Sequence, residues 1–143
     1  MNITELKIKG CYLIESVPFQ DKRGHFIKTY HEENFNHAGL TLSTAAEFHT
    51  VSKKDIIRGM YFQVYPASHD KLVYSPMGEV LNVLLDLREA SKNYGHFMSF
   101  ILNPSSGKSL HVEKSIDHGY LCLKDNSVMK YKTTSFYSPA HDT

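Results

Sequence analysis

Polar side chains interrupt an apolar stretch, DIIRGMYFQ, at residues 55–63 of the sequence. Arg58 and, a few residues further on, Lys71 carry positive charges, while Tyr61 and Gln63 add a phenol and an amide. Such cations bind phosphate or carboxylate groups, and a buried arginine must be paired. The stretch therefore predicts a pocket for an anionic ligand. The alternative is an edge strand that leaves Arg58 in solvent.

A bulge at Gly59 would allow Arg58 and Tyr61 to act together. On a regular strand these two residues are three apart and point to opposite faces. Glycine inside a strand often marks a β-bulge, and one extra residue would turn both side chains to the same side. The sequence therefore favours a bulge at this position.

Two tyrosines and one histidine in the last third of the chain are further candidates. Tyr131 and Tyr137, in MKYKTTSFY, are six apart and would share one face of an extended strand. Two phenols in one pocket could supply a proton donor and a stacking platform, although two half-buried core tyrosines are the simpler interpretation. His118, beside Gly119, could similarly be a turn cap.

Arg23 lies in DKRGHF, which has the composition of a tight turn before a strand. Asp21 can hydrogen-bond its own backbone and Gly24 permits unusual dihedral angles, so a structural turn is one interpretation. The other interpretation is that the Arg23 guanidinium makes bidentate hydrogen bonds to a phosphate or carboxylate.

Nine histidines raise the question of a metal site. Metal-binding β-helical proteins commonly present His-x-His, and this sequence contains no such pair. His111 and Glu113 would share a strand face, but two ligands are too few for a stable site. We expect no metal.

Short β-rich segments must position these residues. Val, Ile, Tyr, Phe and Thr concentrate in segments spaced about eight to twelve residues apart, with turn signals such as NPSSGK between them. This spacing predicts an all-β fold, a sandwich or barrel of jelly-roll type. The predicted strands lie within 10–19, 24–31, 56–65, 71–76, 79–88, 95–103, 108–114, 119–125 and 127–137.

Composition limits the class of protein. The 143 residues, 41% hydrophobic and 22% charged, suit one globular domain covering 1–143. A net charge of +1 argues against nucleic-acid binding through bulk charge. One helix is predicted over 31–39. Cys11 and Cys122 are expected to be buried thiols of a cytoplasmic protein. No signal-peptide core or membrane-spanning apolar run is present, so no membrane association is expected.

Taken in order, six segments resemble the dTDP-4-dehydrorhamnose 3,5-epimerase family of the cupin superfamily. They are DKRGHF, IIRGMYFQ, KLVYSPMGEVLNVLLDLR, NYGHF, HVEKSIDHGYLCL and YKTTSFYSP. The resemblance implies a double-stranded β-helix and a homodimer that exchanges strands. It also implies epimerisation of a nucleotide-linked 4-keto-6-deoxy sugar without a metal or organic cofactor.

The resemblance assigns roles by position. The substrate-binding residues it implies are Arg23, reaching in from the partner subunit, Phe26, Arg58, Gln63 and Tyr137, which would stack on thymine. The catalytic residues it implies are Tyr131 as general acid, Tyr61, Lys71 as a further sugar-nucleotide contact, and His118 beside the sugar or its diphosphate.

The chain departs from the family pattern at the general base. The family uses a histidine in RGLH[FY]Q, and this position is Tyr61 here. The aspartate that orients the family histidine belongs to a stretch beyond the last residue of this sequence. Ala46 and Phe48 stand where the family has Gln and Asn. The resemblance therefore implies a retained diphosphate side and a rebuilt sugar side of the pocket.

An epimerase of altered specificity is the first functional hypothesis. Its base would be Tyr61 or a nearby histidine, namely His69, His49 or His118, and its acid would be Tyr131. An ordinary tyrosine, with a pKa of about 10, is ionised only about one part in a thousand at pH 7. Only a small fraction of Tyr61 would therefore be the phenolate that acts as a base.

Two further hypotheses stay open. A cupin ketoisomerase would move the keto group between neighbouring carbons, but proteins of that kind carry a His-x-His pair that is absent here. A catalytically inactive nucleotide-sugar-binding protein would have lost the base together with the aspartate that orients it.

Overall fold

Twelve β-strands and two short helical segments make up the computed structural model, which describes all residues, 1–143. The helical segments are α1 (Glu32–His37) and a 3₁₀ turn at Pro139–His141. The strands are β1 (Asn2–Glu5), β2 (Tyr12–Glu15), β3 (Phe19–Asp21), β4 (Gly24–Phe26), β5 (Ala46–Ser52), β6 (Ile57–Tyr61), β7 (Lys71–Met77), β8 (Val80–Asp86), β9 (Phe97–Leu102), β10 (Lys108–Val112), β11 (Ile116–Cys122) and β12 (Ser127–Thr133).

The strands form two antiparallel sheets and one separate hairpin. The larger sheet has the order β1-β2-β10-β7-β12-β5, the smaller has the order β6-β11-β8-β9, and β3 pairs only with β4. Apolar side chains from both sheets share one core, in which Val73 and Leu110 of the larger sheet join Val80 and Leu84 of the smaller. The predicted all-β class is confirmed.

The strand predictions were correct for most of the central strands and wrong at several ends. The predicted segment 24–31 is a strand only over Gly24–Phe26, and the predicted segment 127–137 stops at Thr133, whose hydroxyl donates to the carbonyl of Ser135. Strands β1, β3 and β5 were missed, since the predicted segment 10–19 reaches only the first residue of β3. Strand β5, AEFHTVS, is an edge strand with mostly exposed residues. Such a strand needs few apolar residues, so its sequence lacks the apolar pattern by which strands are predicted.

The predicted helix is present as α1, and His31 caps it by accepting a hydrogen bond from the backbone N–H of Asn34 at 3.4 Å. Cys11 and Cys122 are free and buried, as predicted. Neither helical segment has the length and apolarity that a membrane span requires.

Candidate active site

A cavity of about 440 Å³ opens where the two sheets and the C-terminal segment meet. Both sheets contribute to its lining, together with residues of the loop between β6 and β7. Seven of the nine predicted site residues line it: Arg58, Tyr61, Gln63, Lys71, His118, Tyr131 and Tyr137. These seven residues, which lie up to 79 positions apart in the sequence, therefore meet in a single cavity.

The predicted bulge in β6 is present. Arg58 pairs with Tyr120 of β11, and Tyr61 pairs with His118, so three steps along β6 span two steps along β11. The extra residue turns Arg58 and Tyr61 to the same side, and both line the cavity.

Two glycines permit this close pairing of β6 with β11. Gly59 has a φ of +135°, and a Cβ built on it would lie 2.5 Å from the Cα of Gly119. A Cβ on Gly119 would in turn meet the sulfur of Met60 at 2.7 Å. The bulge therefore depends on a missing side chain in each strand.

His118 is buried at the inner end of the cavity and is held there by Asn82. The amide Nδ2 of Asn82 donates to the His118 Nε2 at 2.8 Å. Burial, with a smaller contribution from the Lys71 charge, lowers the pKa of His118 to about 3. His118 is therefore neutral at pH 7, and it can offer a substrate a hydrogen bond but not a positive charge.

Tyr131 is packed between two rings. It stacks on Phe48 at 4.8 Å between centroids and meets the edge of His118 at 5.9 Å. Burial raises the pKa of its phenol far above the ordinary value, and the neighbouring Tyr120 adds to this effect. Tyr131 therefore stays protonated at neutral pH, as a general acid must.

Lys71 supplies the one ammonium group of the cavity. Its Nζ donates to the backbone carbonyl of Tyr61 at 3.2 Å. Burial lowers the pKa of Lys71 to about 8, and the carboxylates of Asp117 and Asp142 partly oppose that shift. The group is still mainly charged at pH 7 and loses its charge as the pH rises through about 8.

Arg58 lies exposed at the cavity mouth on the edge strand β6. Its Nε donates to the hydroxyl of Ser52 at 2.8 Å, and the two terminal nitrogens of the guanidinium have no hydrogen-bond partner in the chain. Both alternatives considered from the sequence therefore hold in part, because Arg58 is solvent-accessible and also faces the cavity.

Residues near the C-terminus close one wall of the cavity, which the sequence did not indicate. Asp142 accepts hydrogen bonds from Gln63 Nε2 at 2.9 Å and from the Tyr137 hydroxyl at 3.2 Å. The backbone N–H of Ser138 donates to the other amide atom of Gln63 at 2.8 Å. No spacing rule links residues 63 and 142, so sequence analysis could not detect Asp142.

The predicted reason for pairing Tyr131 with Tyr137 was wrong, although both residues line the cavity. Strand β12 ends at Thr133, so the two tyrosines do not share a strand face. The chain instead bends back after the strand, and the contact of Tyr137 with Asp142 holds it over the cavity.

Arg23 and Phe26 lie outside the cavity of their own chain, on the β3–β4 hairpin. Arg23 forms an exposed ion pair with Asp21, and Phe26 is 63% exposed. The contribution of Arg23 to a partner's site and the contact of Phe26 with substrate stay predictions.

His111 and Glu113 join different structural networks. The His111 Nδ1 lies 3.2 Å from the carbonyl oxygen of Gly10, whereas Glu113 forms an ion pair with Arg88. No group of three or more His, Cys, Asp or Glu side chains in the structure is arranged to hold a metal ion.

A family model described as dTDP-4-dehydrorhamnose 3,5-epimerase matches residues 5–143. The chain belongs to this family. The dTDP-4-dehydrorhamnose 3,5-epimerase of Escherichia coli strain K12 is 32% identical over 99% of this chain and 77% of its own length. The enzyme of the same name from Pseudomonas aeruginosa is also 32% identical, over 99% of this chain and 78% of its own length.

Solved structures of the family superpose closely on this chain. A 4-keto-6-deoxy sugar epimerase from the novobiocin biosynthetic gene cluster of Streptomyces spheroides gives a TM-score of 0.95 at 30% identity, covering 99% of this chain and 72% of the other. The dTDP-4-dehydrorhamnose 3,5-epimerase of Bacillus anthracis, solved with TDP and PPi bound, gives 0.93 at 29% identity over 99% and 82%. The predicted family and its cupin jelly-roll fold are confirmed.

Proposed function

We propose that the protein epimerises a nucleoside-diphosphate-4-keto-6-deoxyhexose at C3, C5 or both. The observation that carries this proposal is the convergence of Arg58, Lys71, His118 and Tyr131 in one cavity of a chain that belongs to the epimerase family. The Bacillus anthracis relative binds TDP and PPi, and a Legionella pneumophila relative was solved with dTDP-4-keto-L-rhamnose. A diphosphate-linked keto sugar is therefore the substrate class proposed here.

The chemistry requires three functional groups. The keto group at C4 acidifies the C–H bonds on its neighbouring carbons, and a base removes one of these protons. The electron pair moves into an enolate whose oxygen needs a cation or a hydrogen-bond donor. An acid on the other side then returns a proton to carbon with inverted configuration.

Two of these groups are assigned to Tyr131 and Lys71. The Tyr131 phenol is kept protonated by its burial and is positioned between Phe48 and His118, so it can return the proton. We assign the enolate oxygen to the Lys71 ammonium, because Lys71 is held by the Tyr61 carbonyl within the cavity whereas Arg58 lies exposed at its mouth.

The remaining residues bind substrate or hold the site together. The free terminal nitrogens of Arg58 suit the diphosphate. Tyr137, which is 63% exposed, suits stacking on the nucleotide base, and neutral His118 suits a hydrogen bond to the sugar or its diphosphate. Gln63 was predicted to contact substrate. We assign it a positioning role instead, because both of its amide atoms are occupied by Asp142 and Ser138.

A catalytically inactive nucleotide-sugar-binding protein is the second candidate function. Tyr61 stands at the position of the family's general base, and the residue is 51% exposed. A solvated phenol is a poor base at pH 7. Unless another group in the cavity removes the proton, substrate would bind without reacting.

A homodimer that exchanges the β3–β4 hairpin completes the proposal. Phe19 and Phe26 face each other across this hairpin, each is 63% exposed, and the hairpin pairs with neither sheet of its own chain. Exposed aromatic pairs are unfavourable in water, so a second subunit is the natural cover. Exchange would bring Arg23 and Phe26 to the partner's cavity.

We further propose that 1–143 forms one domain of a cytoplasmic protein.

Proton exchange tests the proposed function. The protein is incubated in heavy water with dTDP-4-keto-6-deoxyglucose, and deuterium entry at C3 and C5 is followed by NMR. Deuterium at either carbon together with the inverted sugar supports an epimerase. Movement of the carbonyl would instead identify a ketoisomerase, and saturable dTDP binding without exchange would identify the binding protein.

A further inference from the structure

Three histidines lie near the cavity, and they differ in which ring nitrogen is free to accept a proton. His49 is on β5 between Phe48 and Thr50, both of which line the cavity. Because side chains alternate along a strand, His49 points away from the cavity. It is also exposed and cannot reach a substrate held inside.

His118 lines the cavity, but its geometry makes it a donor. Its Nε2 accepts a hydrogen bond from Asn82 at 2.8 Å, so the proton of the neutral ring must be on Nδ1. A ring whose Nε2 accepts a hydrogen bond and whose Nδ1 is protonated has no free lone pair that could accept a proton from the substrate carbon.

His69 has the opposite arrangement. Its Nδ1 lies 3.0 Å from the carbonyl oxygen of Ala67, which can only accept, so Nδ1 must carry the proton. No group in the chain hydrogen-bonds to the His69 Nε2, whose lone pair is therefore unoccupied. The residue is only 8% exposed, and it lines the cavity two positions before Lys71.

We propose that His69 Nε2 is the proton acceptor of the epimerisation, in place of the histidine that the family pattern carries at the position of Tyr61. This proposal rests on the proposed epimerase function. In the step, the C–H bond beside the carbonyl breaks, its proton forms the new N–H bond at Nε2, and its electron pair becomes the enolate. After Tyr131 returns a proton to carbon, His69 is a cation and Tyr131 an anion, and proton exchange with solvent resets both.

The surroundings of His69 suit this role. Burial lowers its pKa below the ordinary value, and the charge of Lys71 acts in the same direction, while the Ala67 carbonyl and Asp70 oppose the shift. A lowered pKa keeps the imidazole neutral at pH 7 and available as a base. The loop before β7 therefore supplies a base, His69, close to the Lys71 ammonium that would stabilise the enolate formed by proton removal.

Two substitutions of His69 test the proposal by deuterium exchange on dTDP-4-keto-6-deoxyglucose. His69→Gln and His69→Asn each remove the base, and His69→Asn retains an N–H that can reach the Ala67 carbonyl. Each is expected to slow exchange by about 10²–10⁴-fold, the usual effect of losing a general base. Calorimetric dTDP binding within about twofold of wild type would show that the pocket persists.

Matched variants separate the candidate bases. His49→Gln is expected to exchange at the wild-type rate, and Tyr61→Phe is expected to lose less than about tenfold. The inference is overturned if a His69 variant that binds dTDP exchanges at nearly the wild-type rate, or if only Tyr61→Phe abolishes exchange. A wild-type protein that binds dTDP without exchange would instead overturn the proposed epimerase function itself.

Discussion

The four-stranded sheet β6-β11-β8-β9 has a mainly apolar inner face that contains a buried polar patch, and its outer face carries an exposed apolar row. Its inner face buries His118 and Asn82, and the Asn82 Oδ1 has no hydrogen-bond partner there. Strand register aligns one row of its outer face across all four strands: Ile57, Leu121, Leu81 and Ile101. Antiparallel sheets commonly have apolar residues inside and polar residues outside, so the buried polar patch and the exposed apolar row both depart from the usual pattern.

The contrast between the two faces indicates what each one is for. Burying polar groups is costly unless they are hydrogen-bonded, so a polar patch on an inner face is expected where a polar ligand binds. Leaving an apolar row in water is also costly, and Ile57 is 72% exposed in the single chain. We infer that the inner face serves the substrate and the outer face serves a second copy of the chain.

The largest expected effect is on the inner face. Tyr131→Phe removes the proposed acid while keeping the ring that stacks on Phe48, so the exchange rate should fall by about 10²–10⁴-fold. The affinity for dTDP should stay within about twofold, because the phenol acts only on the sugar. NMR exchange and calorimetry measure the two quantities. Tyr94→Phe, a change in an exposed loop, is the control and should alter neither.

On the outer face, Ile101→Glu should weaken the proposed dimer. Ile101 is 41% exposed in the chain, and placing a carboxylate against an apolar partner surface should raise the dimer dissociation constant by at least about 30-fold. Sedimentation velocity over a range of concentrations measures this shift. Met77→Glu introduces the same charge at a 56% exposed position of the other sheet and should leave the dimer intact. An unchanged dimer in Ile101→Glu would assign the interface to another surface.

Mixing two inactive variants tests whether the interface and the site are coupled through the hairpin. If Arg23 completes the partner's cavity, Arg23→Ala and Tyr131→Phe subunits form hybrid dimers with one intact site. Random mixing after subunit exchange would then restore about a quarter of wild-type exchange. Arg23→Ala alone should keep its thermal midpoint, because Arg23 contacts only Asp21 in its own chain. Mixtures with no more activity than the separate variants would confine Arg23 to its own subunit.

The smallest expected effect concerns the pH dependence on the inner face. The Lys71 ammonium exists below its pKa of about 8, so exchange should decline as the pH rises through about 8. Asp142 raises the Lys71 pKa, so Asp142→Asn should move this decline to lower pH. A pH–rate profile of exchange measures the shift. A decline at the same pH in both proteins would show that another group controls it.

Local sequence patterns predicted much of the fold but little of its assembly. Composition and turn signals identified the segment that contains β8, and the glycine in IIRGMYFQ correctly indicated the bulge that brings Arg58 and Tyr61 together. The polar edge strand β5 was missed because its composition resembles a loop. The site was predicted from the family resemblance for seven residues, but Asp142 and Asn82 were missed, because their contacts join distant segments.

The sequence by itself determined the all-β class and the family, because these depend on residue types at fixed spacings along the chain. The meeting of Lys71, Tyr131 and His118 in one pocket was implied by the family resemblance. Only the tertiary structure decided which histidine has a free lone pair. The proton position on His69 and on His118 is set by a carbonyl and by an amide, respectively, and only folding brings the Asn82 amide to His118. Hydrogen-bond partners in space, which residue type and order do not encode directly, distinguish an imidazole base from an imidazole donor.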